Sequence, residues 1–186
     1  MASEKKLNVI LDLDNTLLSA IPLDEFKWDQ ETKKKALKFN IHNMEDYYII
    51  FERPKLQKFL NYVFQNFNVS IWSAASKNYV LFIVDNIILT KKNRKLDNIF
   101  FSYHCSISKK LFKGGIKKLK LLWKVFKLNG YDKDNTVIID DLEDVKKIQP
   151  KNCIDVHPFE FFDKDSENDD EFPKVIERLE KLKIKN

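Results

Sequence analysis

Apolar positions along the chain fall into short runs whose spacing changes from one run to the next. Leu7 to Leu13 places Leu7, Val9, Ile10, Leu11 and Leu13 close together before acids and Asn15 break the run. A continuous apolar stretch of this kind reads as a buried strand. Val69 to Trp72, Thr136 to Ile139 and Cys153 to Val156 repeat the pattern. Helical spacing separates them. Leu56, Phe59, Leu60, Val63 and Phe64 follow Pro54, a residue suited to a first helical turn. Val80, Leu81, Val84, Ile87 and Ile88 predict a helix over Lys77 to Leu89, and Ile116, Leu119, Leu122, Trp123 and Phe126 predict another, closed by Asn129-Gly130. A final helix to about Lys183 follows an acidic loop, Asp163 to Glu171.

Other stretches are shorter. Ser19 to Lys35 is polar and carries Trp28. Ala36 to Ile41 and Tyr47 to Glu52 predict a hairpin turning through His42 to Asp46. Lys91 to Lys95 reads as a basic turn, Ile99 to Cys105 as a strand, and Gly114-Gly115 as a break. Strands alternating with helices predict an α/β fold with a parallel sheet covered on both faces. At 186 residues, 1–186 reads as one domain.

Composition narrows the classes. Hydrophobic residues at 44% exclude a disordered chain, and charged residues at 33% do not suit a membrane protein. The N-terminal stretch Met1 to Lys6 is polar, and no apolar run is long enough to span a bilayer, so no membrane role is expected. The net charge of +5 favours phosphorylated or nucleic-acid partners. Arg53, Arg94 and Arg178 are the only arginines, which weakens the nucleic-acid case, because base and phosphate readout leans on arginine. Cys105 and Cys153 have neither disulfide-framework nor zinc-ligand spacing, which points to a reducing, intracellular compartment, cytoplasm or nucleus.

In an open parallel sheet, ligands lie beyond the carboxyl ends of the strands. The polar clusters sit at those ends: Asp12-Leu13-Asp14-Asn15-Thr16 after the first strand, Ser73 after the second and Asp140-Asp141 after the third, with Lys117 and Lys118 at a helix start. Four carboxylates meeting in one crevice repel one another unless a cation or a proton intervenes. An oxygen-only donor set selects a hard cation, Mg²⁺ above all, and Mg²⁺ shares its shell readily with phosphate. The chemistry consistent with this set is phosphoryl transfer.

The segment Asp12-Leu13-Asp14-Asn15-Thr16 resembles the Asp-x-Asp-x-Thr/Val signature of the haloacid dehalogenase superfamily of phosphatases. More narrowly, the chain resembles the RNA polymerase II C-terminal-domain phosphatases and their small NLI-interacting-factor-like members. Leu11 to Leu17, Phe51-Glu52-Arg53-Pro54, Ile71 to Ser76, Ile116 to Leu119 and Val137 to Asp141 carry the likeness, which runs from about residue 7 to 182. The resemblance implies a Rossmann-like parallel sheet flanked by helices, with a short β-hairpin after the first motif and a small insert at about 91–115. It implies Asp12 as nucleophile, forming an aspartyl-phosphate, and Asp14 as general acid and then base. Mg²⁺ would be held by Asp12, the Asp14 carbonyl and Asp141. Ser73 and a lysine would bind the phosphoryl oxygens, and Thr16 would brace the turn at the substrate. The substrate implied is phosphoserine or phosphothreonine in a protein or peptide.

Two departures stand out. The family follows its motif lysine with an acid, where this chain has Lys118. The register of Leu119 and Leu122 favours Lys117 as the phosphate ligand, with Lys118 the alternative; on this reading Lys117→Ala costs activity and little stability. No arginine lies between Arg94 and Arg178, where small family members carry one near the substrate. Asp140 remains the alternative to Asp141 as metal ligand. A nucleotide or polynucleotide phosphatase of the same superfamily, or a non-catalytic phosphopeptide-binding module, are the competing functions. Arg53 reads as structural, and Ser73 suits a helix cap as well as a ligand.

Overall fold

The computed structural model describes residues 6–45, 47–113 and 116–183. Met1 to Lys5, the turn residue Asp46 and the Gly114-Gly115 break lie outside the described residues. Eight strands and seven α-helices alternate along the described chain. They are β1 (Asn8–Leu11), β2 (Leu18–Pro22), α1 (Gln30–Ala36), β3 (Ile41–Met44), β4 (Tyr48–Glu52), α2 (Leu56–Asn66), β5 (Asn68–Trp72), α3 (Lys77–Ile83), β6 (Leu96–Phe100), α4 (Ser102–Leu111), α5 (Lys120–Lys124), β7 (Thr136–Asp140), α6 (Glu143–Ile148), β8 (Cys153–Asp155) and α7 (Glu171–Lys183). A π-helical turn, Val84–Ile88, extends α3, and a 3₁₀ turn, Ser166–Asn168, precedes α7.

Five strands form a parallel sheet in the order β6-β5-β1-β7-β8. The chain moves outward from β1 through β5 to β6, then crosses back to place β7 on the other side of β1. That reversal makes β1 and β7 the switch point, where a ligand crevice opens at the carboxyl ends. β1 is central and its side chains alternate between two cores. Val9 and Leu11 pack with α2, α3 and α7, whereas Ile10 packs with Trp72, Leu121, Leu122 and Val145 on the opposite face. Burial on both faces explains its unbroken apolar run.

A second, antiparallel sheet of order β2-β4-β3 follows the first strand. Its β4 is apolar on both sides. Ile50 joins the main core, while Ile49 and Phe51 join Phe26, Ala36 and Phe161 in a separate cluster, with Phe51 and Phe161 stacked at 3.8 Å between centroids.

Four expectations from the sequence need correction. The hairpin's first strand is Ile41–Met44, not Ala36 to Ile41. Asp29 accepts a hydrogen bond from the Thr32 N–H at 2.7 Å and caps a helix that carries the chain to Ala36, leaving Leu37 exposed. The polar stretch from Ser19 holds most of β2, because β4 supplies it with an antiparallel partner from Leu18 to Pro22. The strand at Ile99 to Cys105 lies earlier, at Leu96–Phe100, and ends where the Phe101 N–H donates to His104 Nδ1 at 3.0 Å and opens α4. Within 91–115, β6 is an edge strand of the main sheet paired with β5, and α4 follows it. The helix expected over Ile116 to Phe126 shortens to Lys120–Lys124. Before it, the Gln149 side chain donates to the Lys117 carbonyl at 2.8 Å and accepts from the Leu119 N–H at 2.9 Å, replacing helical partners.

Candidate active site

β1 ends by placing Asp12 beside β7: the Asp12 N–H donates to the Ile139 carbonyl at 3.0 Å, one step past the strand. The chain then curls on one acceptor. The N–H groups of Thr16, Leu17 and Leu18 all point at the Leu13 carbonyl, at 3.3, 2.8 and 3.2 Å. The curl needs a left-handed residue, supplied by Asn15 at φ 58°, a residue type that tolerates this region. Asp14 is thereby swung back over the strand end. Its carboxylate accepts a hydrogen bond from the Tyr79 hydroxyl of α3.

Lys117 reaches the crevice from the segment clamped by Gln149. Its ammonium lies 2.6 Å from Asp12 Oδ1 and 2.8 Å from Asp140 Oδ2, and the residue is 1% exposed. Burial works against its charge, but Asp12 and then Asp140 outweigh that and hold its pKa well above the ordinary lysine value. Asp140 Oδ1 also accepts from the Leu142 N–H at 3.0 Å, and Asp141 Oδ1 accepts from the Thr16 hydroxyl at 3.1 Å. One oxygen each from Asp12, Asp140 and Asp141 lie within 4.8 Å of one another.

Burial dominates the protonation of these acids. It raises Asp14 to about 6, against an opposing hydrogen bond from Tyr79. Burial, and then the proximity of Asp12, push Asp140 and Asp141 upward. Burial and the Asp14 charge keep the Tyr79 phenol far above its usual range.

The sequence-read candidates sit as follows. Asp12, Lys117 and Asp140 share one buried cluster, Asp141 borders it, and Asp14 stands beside it on the loop. Thr16 is fully buried, with its hydroxyl spent on Asp141 and its carbonyl accepting from Arg53 Nη1 at 3.0 Å. Ser73 follows β5, the strand next to β1, and its hydroxyl accepts from the Ala75 N–H at 3.0 Å; the true helix cap is Ser76. Lys118 lies away from the cluster, with its ammonium over the Phe112 ring at 5.7 Å. Arg53 is buried and bidentate to Asp169, at 2.7 and 2.8 Å, and also donates to the His157 carbonyl at 2.9 Å. It ties the Asp12 loop to the segment after β8 and to the approach to α7.

Sequence reasoning missed three contributors. Tyr79 stands three residues past the cap Ser76, a position that points its side chain toward the strand ends. Gln149 and Asp169 carry no local signal, because their partners are 30 and 116 residues away.

A cleft of about 690 Å³ opens beside Asp14, between the small sheet and the start of α3. Met44, Tyr47, Tyr48, Ala75 and Tyr79 give it an apolar wall, and Glu45 adds an acid.

Carboxylates thus gather at the switch point of a parallel sheet, with a lysine buried among them, on a fold of the haloacid dehalogenase type. The fold matches that of the fission yeast RNA polymerase II CTD phosphatase Fcp1 bound to beryllium fluoride, with a TM-score of 0.61 and 23% identity. That match covers 98% of this chain and 52% of the Fcp1 chain, so the present chain spans about half of its length. The chain belongs to the family of NLI interacting factor-like phosphatases, which matches residues 7–186. Among its relatives is the CTD phosphatase-like protein 355R of invertebrate iridescent virus 6, 49% identical over 92% of this chain and 96% of that protein. The protein of the same name in invertebrate iridescent virus 3 is 42% identical over 98% of this chain and 100% of that one. Among the described residues no helix is long and apolar enough to cross a membrane.

Proposed function

We propose that the protein hydrolyses phosphoserine or phosphothreonine in protein substrates, through an aspartyl-phosphate on Asp12 and with Mg²⁺ as cofactor. The observation that carries this reading is the buried Asp12–Lys117 pair at 2.6 Å, with Asp14 two residues on at the mouth of a peptide-sized cleft. Asp12 supplies the attacking oxygen. Lys117 offers fixed positive charge where phosphoryl oxygens gather. Asp14 gives a proton to the leaving alcohol and later takes one from the attacking water. Ser73 donates to a phosphoryl oxygen, and Thr16 steadies Asp141.

Asp12, Asp140 and Asp141 fit Mg²⁺: three carboxylates with oxygens in mutual reach and no nitrogen or sulfur donor among them. With the Asp14 carbonyl they would hold it. Lys117 and Leu142 already bond Asp140, so Asp141 is the better direct ligand. Bound there, the ion would neutralise charge on the transferring group. The apolar cleft wall supports a peptide over a bare nucleotide, because it offers side-chain contacts and no phosphate-binding cation of its own. Cys105 and Cys153, both buried and free, support a reducing compartment.

Phosphate release from phosphoserine peptides, nucleotides and 3′-phosphorylated DNA, each in Mg²⁺ and in EDTA, tests the reading. Turnover of the peptides in Mg²⁺, lost in EDTA and in Asp12→Asn, is expected. Preference for DNA would move the substrate class, and an active Asp12→Asn enzyme would remove the nucleophile assignment. Binding of phosphopeptide without turnover by the wild type would favour a recognition module.

A further inference from the structure

Two clefts open at the loop that carries Asp14 and Asn15. The larger, of about 690 Å³, borders Asp14, and Glu45, Tyr47 and Tyr48 stand in its wall. The second, of about 310 Å³, borders Asn15, and Glu25, Glu160 and Phe162 stand in its wall. Ala20 borders both. We propose that the two clefts select a phosphopeptide whose phosphorylated residue is flanked by lysine or arginine. The inference rests on the phosphatase reading and narrows its substrate class in a direction which that reading does not require.

The charge of these walls runs against that of the chain. Lysine and arginine outnumber the acids 33 to 28, yet neither wall includes a lysine or an arginine. Hollows away from the loop differ: Lys55 and Lys58 line one, and Lys151 and Lys181 another. Glu25, Glu45 and Glu160 are exposed, and among the described residues none of them is engaged in an ion pair. Uncommitted carboxylates at the rim of a cleft attract a cationic side chain and repel an acidic or second phosphorylated one.

The rings supply the other half of the recognition. Tyr47 is 66% exposed and Phe162 58%, one in each wall. A lysine or arginine lays its methylene stem along such a ring and its cation over the face, while its head reaches the nearby acid. A short apolar side chain would use the ring alone. The two walls are also close together. Pro22 of the second is the cross-strand partner of Tyr48 of the first. Opposed residues of an antiparallel pair stand about 4.5–5.5 Å apart, and an extended peptide advances about 3.3–3.6 Å per residue. Side chains near the phosphorylated position therefore reach both.

The test measures phosphate release in Mg²⁺ from three phosphoserine peptides that differ only in their flanks: lysine, alanine or glutamate on each side. The readout is the ratio of kcat/KM values within one protein preparation, which cancels any difference in active fraction. An exposed ion pair contributes up to about fivefold, and a cation over a ring a similar factor. The lysine peptide should therefore exceed the glutamate peptide ~10-fold or more at about 0.05 M NaCl, and the ratio should shrink at about 0.5 M, where exposed charges are screened. Combining Glu25→Gln, Glu45→Gln and Glu160→Gln should bring the low-salt ratio below about threefold, as the rings alone remain. Glu177→Gln, which removes one charge from the exposed side of α7, should leave the ratio as in wild type. Equal turnover of the three peptides would overturn the proposal, as would a preference for the glutamate peptide or a lysine preference undiminished by the triple substitution. A wild type inert toward all three peptides would also overturn it; inertness toward p-nitrophenyl phosphate as well would overturn the phosphatase reading itself.

Discussion

Lys117→Met tests whether the site holds the fold together as well as doing chemistry. Two carboxylates sit at 2.6 and 2.8 Å from a lysine that is 1% exposed. At an effective dielectric of about 20, each contact is worth roughly 6 kcal/mol of direct attraction. Desolvating the ions returns several kcal/mol each, and breaking such a buried arrangement by removing one partner costs about 3–5 kcal/mol net. Methionine fills much the same volume, so the loss is electrostatic: Asp12 and Asp140 are left facing each other, with Asp141 alongside. For a chain of this size about 1 kcal/mol moves the melting temperature by roughly 2–4 °C, so a fall on the order of 10 °C is expected. The measurement is thermal and urea unfolding in EDTA, where no cation can compensate. Adding Asp140→Asn should recover part of the loss by removing one of the orphaned charges. Lys118→Met, on the side chain over Phe112, should cost less than about 1 kcal/mol. A drop below about 2 °C for Lys117→Met, or one matched by Lys118→Met, would refute the reasoning.

Three further outcomes follow from the same geometry. Burial raises the Asp14 carboxyl from 3.8 to about 6, so ionising it in the folded state costs nothing below about pH 4 and the full amount above about 6. Asp14→Asn should therefore stabilise the metal-free protein by about 1–3 kcal/mol at pH 7 and by little at pH 4; a gain independent of pH would contradict this. Arg53→Met should lose about 3–5 kcal/mol in urea titration, because Asp169 and two carbonyls lose their donor, and Arg53→Lys should not rescue it, since the paired contacts need the guanidinium fork. Arg178, and then Lys146, hold Asp155 well below the usual carboxylate range, so its contribution is present above about pH 4 and fades as acid protonates it. The group is half exposed, so Asp155→Asn should cost under about 1 kcal/mol at pH 7 and nothing in strong acid, which a pH series of melts would check.

What could be read from the sequence follows from how local each signal is. β1, β5 and β7 were legible because burial on both faces leaves an unbroken apolar run. The polar residues at their ends were legible because the chain must turn there. The sequence points to a strand over Ala36 to Ile41 because Leu37, Phe39 and Ile41 alternate with Lys38 and Asn40, while the Asp29 cap that carries α1 to Ala36 lies outside that window. The shortening of α5 was invisible, since the Gln149 side chain that intercepts the backbone at Lys117 and Leu119 is 30 residues away. The same holds for the stability attached to Lys117. Read from the sequence, that lysine is a removable phosphate contact; buried between two acids, it is a structural counter-ion as well.

The central position of β1 also sets a timetable. On the ribosome β1 is made well before its partners: Asn8 bonds to Asn68 and Thr136, 60 and 128 residues further along. The loop that carries Asp12 and Asp14 gains its brace only when Asp169 is available to Arg53, 116 residues after Arg53 itself. Until then a run of Val, Ile and Leu with two free edges must wait in the nascent chain, where unpaired strands recruit neighbours. Pairings this distant close slowly. Asp12 and Asp14 are thus translated well before the residue that braces their loop, so a chain interrupted before α7 would carry both acids without the Arg53–Asp169 tie.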